Sequence, residues 1–153
     1  MILAIDPGTE QSGYVILGSE GQVIEAGVLP NGDMKKLVYS RSAHETGWTM
    51  AVEMVASYGM AVGREVFETC VFIGMLLEAW DHESVKVYRK DVKLHLCGTC
   101  RAKDGNIRQA LLDLYGGSEA IGNKKNPGPL YRVKSHAWAA LGVADYVRRS
   151  TTE

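Results

Sequence analysis

The pattern of apolar and polar positions predicts strands in the first half of the chain. Residues 1–5, 13–18 and 22–29 are apolar runs bounded by turn sequences, and the last two read as a hairpin. Two further strands are predicted over residues 48–55 and 85–88. Strands followed by a helix-rich second half indicate a mixed α/β layer fold.

The clearest predicted helix covers residues 63–80. Its apolar stripe, with spacings of four and three residues, consists of Val66, Cys70, Ile73, Leu77 and Trp80. Further apolar positions broaden the stripe, which favours a helix that is either central in the domain or shared with a second subunit. Other helices are predicted over residues 34–47, 90–96, 106–115 and 135–149. Ser135 is the expected N-cap of the last one, and residues 116–129 predict a loop.

Length and composition fit one ordinary globular domain. The 153 residues are 46% hydrophobic and 23% charged, so we expect a single domain over residues 1–153. The longest apolar run, residues 71–77, is too short to cross a bilayer, and Asp6 interrupts the apolar start that a signal peptide needs. Three cysteines without secretory context favour a reducing compartment. We therefore expect a cytoplasmic protein with no membrane partner.

Charge is distributed unevenly along the chain. The net charge of −1 at first argues against a nucleic-acid partner. Residues 86–134, however, carry eleven Lys and Arg against four acids, so this segment is +7 and the remainder is −8. Such asymmetry predicts a basic face for an anionic partner, and an uneven solvated surface is the alternative.

Two acids lie in strand contexts. Asp6 ends the first predicted strand, and Glu53 interrupts the apolar run at 50–55. If these strands are neighbours, both carboxylates open onto one cleft, and hard oxygen donors on rigid strands suit Mg²⁺. A turn residue is the alternative for Asp6, because Pro7-Gly8 follows.

Four blocks of the sequence carry a further signal. They are residues 5–14 (IDPGTEQSGY), 51–55 (AVEMV), 92–107 and 137–144. In this order they resemble the opening strand and hairpin, the second acidic strand, the basic substrate-binding segment and the last helix of the RuvC family of Holliday-junction resolvases. The resemblance implies an RNase H-like fold, with a mixed central sheet and helices on both faces.

The resemblance also implies an activity. It points to an endonuclease dependent on Mg²⁺ or Mn²⁺ that makes paired symmetric nicks in four-way DNA junctions during recombination or phage DNA processing. The enzyme would be a homodimer formed through the helix over residues 63–80. The length of the chain is more similar to phage or prophage relatives than to the bacterial housekeeping enzyme.

Candidate catalytic and metal-binding residues follow from the same resemblance. Asp6 and Glu53 match metal-binding carboxylates of the family. His136 stands at one of two further acidic positions on the last helix, where it could bind metal or carry a proton. Ala139 occupies the other position and can do neither. Asp145 lies on the opposite face of the predicted helix and does not replace it easily.

Basic and apolar residues complete the candidate DNA surface. Lys93 and Lys103 resemble basic residues that the family places near the scissile phosphate, and solvated lysines are the alternative. The family's base-wedging aromatic corresponds to Ala56, so Tyr58 or Met60 would have to take that role. The remaining candidate DNA contacts are Arg101, Lys124 and Lys125.

Two other functions remain open from the sequence. One is an RNase H-like nuclease that processes RNA, because a family of such proteins has a similar first motif. The other is a junction-binding protein with weakened catalysis, which Ala139 favours. An actin-like or sugar-kinase ATPase also has an Asp-x-Gly-Thr loop, but those folds need two such domains and one is present here.

Overall fold

A mixed five-stranded sheet forms the centre of the computed structural model, which describes residues 1–151. In chain order the strands are β1 (Ile2–Asp6), β2 (Gln11–Leu17), β3 (Val23–Pro30), β4 (Thr49–Met54) and β5 (Ser84–Tyr88). They lie in the order β3-β2-β1-β4-β5. β2 runs antiparallel to β1 and β3, whereas β4 runs parallel to β1 and β5. The carboxyl ends of β1, β4 and β5 therefore meet at one edge of the sheet.

Helices cover both faces of this sheet. They are α1 (Asn31–His44), α2 (Arg64–Glu78), α3 (Arg89–Cys97), α4 (Asp104–Leu114) and α5 (Ala137–Ser150), with a short 3-10 turn at Ser118–Ala120. One core contains buried side chains of α1 and α2, and the other contains those of α3, α4 and α5. The mixed α/β class expected from the sequence is confirmed.

The central strand β1 divides these two cores. Ile2 and Ala4 belong to the core beneath α5, while Leu3 and Ile5 belong to the core beneath α2, as the two-residue period of a strand requires. Helix α5 packs on β1 and β2. Small residues on its buried face let it lie close to the sheet, namely Ala137, Ala140 and Ala144.

The predicted start of the last helix is wrong. Helix α5 begins at Ala137, and its N-cap residue, His136, makes no side-chain capping hydrogen bond. Ser135 has a φ of 49°, a left-handed conformation that is uncommon outside glycine. It turns the chain just before the helix and does not cap it. The turn lies directly before His136, whose backbone packs closely against Gly13 of distant β2.

Helix α2 is not central in the described part of the chain. It leaves an apolar stripe on the outside, in which Phe67 and Val71 are each 61% exposed and Met75 is 45% exposed. The sequence left two possibilities for this helix, a central position in the domain or a contact with a second subunit. The exposure of Phe67, Val71 and Met75 excludes the first possibility for these three side chains. Neither α2 nor any other helix within residues 1–151 is long and apolar enough to span a membrane.

Candidate active site

Asp6 and Glu53 lie side by side at the carboxyl ends of two neighbouring strands. β1 and β4 are parallel, and Ile5 is opposite Val52, so the next residue of each strand is one of the two acids. Glu53 is 8% exposed, and the Asp6 side chain is 19% exposed. The sequence predicted a shared cleft for the two carboxylates if their strands were neighbours. The pairing of β1 with β4 confirms that they are neighbours.

A glycine places His136 next to Asp6. Gly13 pairs with Asp6 across β1 and β2 and lies directly beneath the start of α5. A Cβ atom at Gly13 would collide with the backbone carbonyl of His136, so only glycine permits this close approach. As a result His136 Nδ1 lies 3.3 Å from Asp6 Oδ2.

The turn after Asp6 is held by two polar side chains. The Gly8 N–H donates to Ser12 Oγ at 3.3 Å, and Ser12 Oγ donates to Asn31 Oδ1 at 2.7 Å. Asn31 Nδ2 in turn donates to the Gly8 carbonyl at 2.8 Å. Because Ser12 and Asn31 close the turn, the Asp6 carboxylate is left to face His136 and the cleft.

Arg89 is a site residue that the sequence reasoning missed. Its Nη1 donates to both carboxylate oxygens of Glu53, at 3.0 and 3.4 Å, and its Nη2 pairs with Asp104. Arg89 directly follows β5, the parallel neighbour of β4, so the strand-end rule that selected Asp6 also applies to it. Asp104 lies at the start of α4 and does not follow a strand, so the strand-end rule does not select it.

Burial governs the electrostatics of the two acids. It raises the pKa of Asp6, and the nearby His136 and Arg89 offset only part of this effect. Burial also raises the pKa of Glu53, and repulsion from Asp6 adds to the rise, while Arg89 opposes it. Burial lowers the pKa of Arg89, but its ion pairs with Glu53 and Asp104 outweigh burial and raise it overall. A positive charge close to both carboxylates is therefore favoured.

A cavity of about 410 Å³ opens beside these groups. Its wall consists of Asp6, Arg89, Asp104, Ile107, Arg108, Ser135, His136, Trp138 and Ala139. The end of β1, the starts of α3 and α4, and the first turn of α5 thus contribute to one cavity.

Comparison with known proteins identifies the fold. No family model and no curated protein sequence matches the chain. The structure of Thermus thermophilus RuvC in complex with a Holliday junction substrate matches with a TM-score of 0.68 and 18% identity, covering 98% of this chain and 96% of that one. A second Thermus thermophilus RuvC structure matches with a TM-score of 0.63 and 18% identity, covering 99% and 96%.

The chain has the RuvC-like fold. The RNase H-like α/β architecture that the sequence resemblance implied is thereby confirmed. At 18% identity the likeness establishes the fold alone, so the activity has to be argued from the residues of this chain.

The donor chemistry of the site fits a divalent metal ion on the RuvC-like fold. Asp6 and Glu53 offer carboxylate oxygens from rigid strands, and their raised pKa values reflect the burial and repulsion that a cation relieves. Within residues 1–151 no cluster of three or more Asp, Glu, His or Cys side chains forms a complete metal site. Mg²⁺ is commonly held by one or two carboxylates together with water and substrate phosphate, so two acids suffice for such an open site.

Ala139 lines this cavity with only a methyl group. Asp145 does not compensate, since it is 1% exposed and pairs with His95 at 3.1 Å and with Arg149 at 3.0 Å. Asp145 is therefore engaged with partners other than Asp6 and Glu53.

None of the predicted DNA-binding residues, all within residues 1–151, lines this cavity. Lys93 is half-buried on α3, one turn after Arg89. Lys103 is exposed at the N-cap of α4, next to Asp104, and Arg101 is exposed two residues earlier. Tyr58 and Met60 are 61% and 71% exposed in the loop that follows β4. Lys124 and Lys125 are exposed at the tip of a loop closed by the Gly122–Pro127 bridge.

Proposed function

We propose that this chain is a divalent-metal-dependent endonuclease that resolves four-way DNA junctions. One observation supports the proposal most: on a RuvC-like fold, Asp6 lies beside Glu53 of the neighbouring parallel strand and 3.3 Å from His136 at the start of α5. Support for the substrate comes from the Thermus thermophilus protein, whose structure was determined with a Holliday junction.

The catalytic groups have separate tasks in this proposal. When bound, a divalent cation supplies Lewis-acid stabilisation of phosphate charge and an activated water. Asp6 and Glu53 bind it through oxygens that the rigid strands hold in place. With its proton on Nδ1, His136 donates to Asp6, and the lone pair of Nε2 can accept a proton from water. The water oxygen would then bond to phosphorus as the bond to the 3′ oxygen breaks, and the departing oxygen would take a proton from solvent.

Basic side chains hold the DNA. Lys93 and Lys103 flank the cavity on α3 and α4 and bind phosphate oxygens near the cut, while Arg101, Lys124 and Lys125 bind the backbone farther away. Tyr58 and Met60 stack on bases exposed at the junction centre. The +7 segment of the sequence thus supplies the phosphate contacts.

Two copies of the chain act together. The exposed stripe of Phe67, Val71 and Met75 on α2 associates with the same stripe of a second copy. A two-fold dimer presents two catalytic sites to two symmetric strands of a junction, which accounts for paired nicks.

A junction cleavage assay tests the proposal. We expect the purified chain to nick a synthetic four-way junction with Mg²⁺ or Mn²⁺ and to leave linear duplex uncut. Asp6→Asn abolishes cutting and keeps junction binding, because the backbone contacts remain. Asp33→Asn, an exposed acid on α1, is the matched control and cuts normally. Equal cutting by Asp6→Asn overturns the assignment, and preferential competition by structured RNA favours the RNA-processing alternative.

A second candidate is a junction-binding protein with weakened catalysis. Ala139 supports it, because this cavity residue offers no ligand where the resolvase family has a carboxylate. Tight junction binding without cleavage in Mg²⁺, Mn²⁺ and Co²⁺ is the expected result in this case. Ala139→Asp should then restore cutting by adding a carboxylate to the wall, whereas in a competent nuclease it changes the rate little.

A further inference from the structure

A second concave surface lies next to the catalytic cavity and has a different character. It encloses about 610 Å³, within the range of small-molecule sites. Its wall, here named the aromatic groove, consists of Asp104, Gly105, Arg108, Ile121, Tyr131, Val133, Lys134, Ser135 and Trp138. Two aromatic rings and two aliphatic side chains therefore line a groove that no step of the proposed cleavage uses.

Cations lie over both aromatic rings. Arg108 Cζ is 4.9 Å from the centroid of the Trp138 ring, and Lys134 Nζ is 5.5 Å from the centroid of the Tyr131 ring. Stacked ring and guanidinium planes bind the faces of nucleobases, and the positive charges suit the phosphates on either side of a base. A purely apolar peptide or lipid chain would gain nothing from these two cations.

The aromatic groove is continuous with the catalytic cavity. Asp104, Arg108, Ser135 and Trp138 belong to the walls of both. Trp138 lies two residues after His136, in the first turn of α5. A strand whose phosphate reaches Asp6 and His136 therefore passes the mouth of the groove within a nucleotide or two.

The outer wall of the groove is fixed by backbone bonds. Leu130 N–H donates to the Ala120 carbonyl at 2.8 Å, and Gly128 N–H donates to the Ile121 carbonyl at 3.0 Å. A side chain at Gly128 would collide with the Ala120 carbonyl, so this loop needs glycine to fold back on itself. Ile121 and Tyr131 are thus held in place before any ligand arrives, which lowers the entropic cost of binding.

We infer that the aromatic groove binds one unstacked nucleobase of the strand being cut, adjacent to the scissile phosphate. The inference rests on the proposed function and deepens it, because it assigns a base-reading subsite to the nuclease. The base stacks against Trp138 and the Arg108 guanidinium, with Tyr131 on the opposite wall, and Lys134 pairs with a flanking phosphate. Cleavage then depends on the nucleotide at one fixed position beside the cut.

Abasic scanning of a four-way junction tests the groove. Single nucleotides around the cleavage position are replaced one at a time by an abasic analogue, and the dissociation constant is measured with EDTA present so that nothing is cut. For the unchanged protein we expect the affinity for the junction to fall by about 10-fold when one particular position is abasic, because the stacking of one base is lost. Trp138→Ala should lose a similar factor on the intact junction and become insensitive to the abasic change at that position.

Matched variants separate stacking from a general disturbance of the fold. Trp138→Phe keeps a ring and should retain sensitivity to the abasic position. Tyr39→Ala removes an exposed ring from α1, on the other face of the sheet, and should behave as the unchanged protein. If Trp138→Ala does not fold, Tyr131→Leu in the loop replaces it with the same expectation.

The outcomes distinguish the two proposals. If the unchanged chain does not bind junctions, the proposed function is overturned and the groove assignment with it. If the chain binds but abasic changes have no effect, or affect Trp138→Ala equally, the groove assignment alone is overturned. The groove assignment is supported if one abasic position weakens binding by the unchanged protein but not by Trp138→Ala.

Discussion

Arg89 determines how strongly the candidate site attracts a cation. Its guanidinium binds both oxygens of Glu53 and also pairs with Asp104, so it places a positive charge on one of the two acids proposed to hold metal. A divalent ion bound at Glu53, as proposed, would meet this positive charge and compete for the same two oxygens. Arg89 would therefore oppose metal binding, and it stabilises the buried Glu53.

Arg89→Ala should tighten Mn²⁺ binding by about tenfold, because the competing charge beside Glu53 is gone. Mn²⁺ electron paramagnetic resonance or calorimetry measures this directly. The metal-free variant should also melt at a lower temperature, because Glu53 is left buried without a cationic partner. Arg101→Ala, which removes an exposed arginine, is the control. An unchanged Mn²⁺ affinity contradicts the competition.

The raised pKa values of the two acids predict a pH dependence. Burial lifts the pKa of Asp6 above 3.8 and that of Glu53 above 4.5, so between these values and the raised ones the folded chain holds more protons than the unfolded chain. The contribution of these groups to the free energy of unfolding therefore falls as the pH rises through this interval. Urea denaturation without metal, from about pH 4 to about pH 7, measures this decrease in the free energy of unfolding. The decrease should be smaller for the double variant Asp6→Asn, Glu53→Gln than for the unchanged protein.

Saturating Mn²⁺ should reverse this trend in the unchanged protein. Metal binds the deprotonated carboxylates, so its stabilising effect grows as the pH rises. The double variant, which lacks both carboxylates, serves as the control and should gain little from Mn²⁺. Without metal, the free energy of unfolding could depend on pH in the same way for the unchanged protein and the double variant. That result would refute the assignment of the pH dependence to Asp6 and Glu53.

Part of the site could be predicted from the sequence. Asp6 and Glu53 stood out because a carboxylate inside or at the end of an apolar strand is costly without a partner. Arg89 did not stand out, because it is one of eleven basic residues in its segment and its partner Glu53 lies 36 positions away. Asp104 was missed for the same reason: only the fold brings it to Arg89.

At the scale of elements, Gly13 links a strand to a helix start. We expect Gly13→Ala to lower the free energy of unfolding by about 1–3 kcal/mol, because the added methyl group meets the His136 backbone. It should also slow junction cutting, because His136, the proposed proton acceptor, moves away from Asp6. Gly32→Ala, on α1 with no atom within 4 Å of the new methyl, is the matched control and should be neutral or slightly stabilising. Equal stability of the two variants contradicts the close approach.

Most elements could be predicted because their apolar patterns are local. The helix predicted over residues 63–80 and the strand predicted over 48–55 correspond to α2 and β4 within a few residues. The order of the strands could not be predicted in the same way, since pairing of β1 with β4 joins segments more than 40 residues apart. The turn at Ser135 was missed because a serine before an apolar helix ordinarily predicts an N-cap, and nothing in the local sequence reveals its left-handed conformation or the contact of the next residue, His136, with Gly13.

At the scale of the whole molecule, the exposed stripe on α2 predicts self-association. We expect light scattering to give twice the chain mass of 16.7 kDa for the unchanged protein. Phe67→Glu should give a monomer, because two such charges would face each other across a two-fold axis. Leu94→Glu, an equally drastic change at a 52% exposed leucine on α3, should remain dimeric. A monomeric unchanged protein, or a dimeric Phe67→Glu variant, refutes this interface.

The division of the molecule into two cores has a practical consequence. The sheet separates the core beneath α1 and α2 from the core beneath α3, α4 and α5, where most of the cavity beside Asp6 is built. If the proposed dimer forms, the outer face of α2 can be recoded with opposite charges in two versions of the chain, so that each version pairs only with the other. With Asp6→Asn in one member, the proposed resolvase would keep one competent site and nick a single strand.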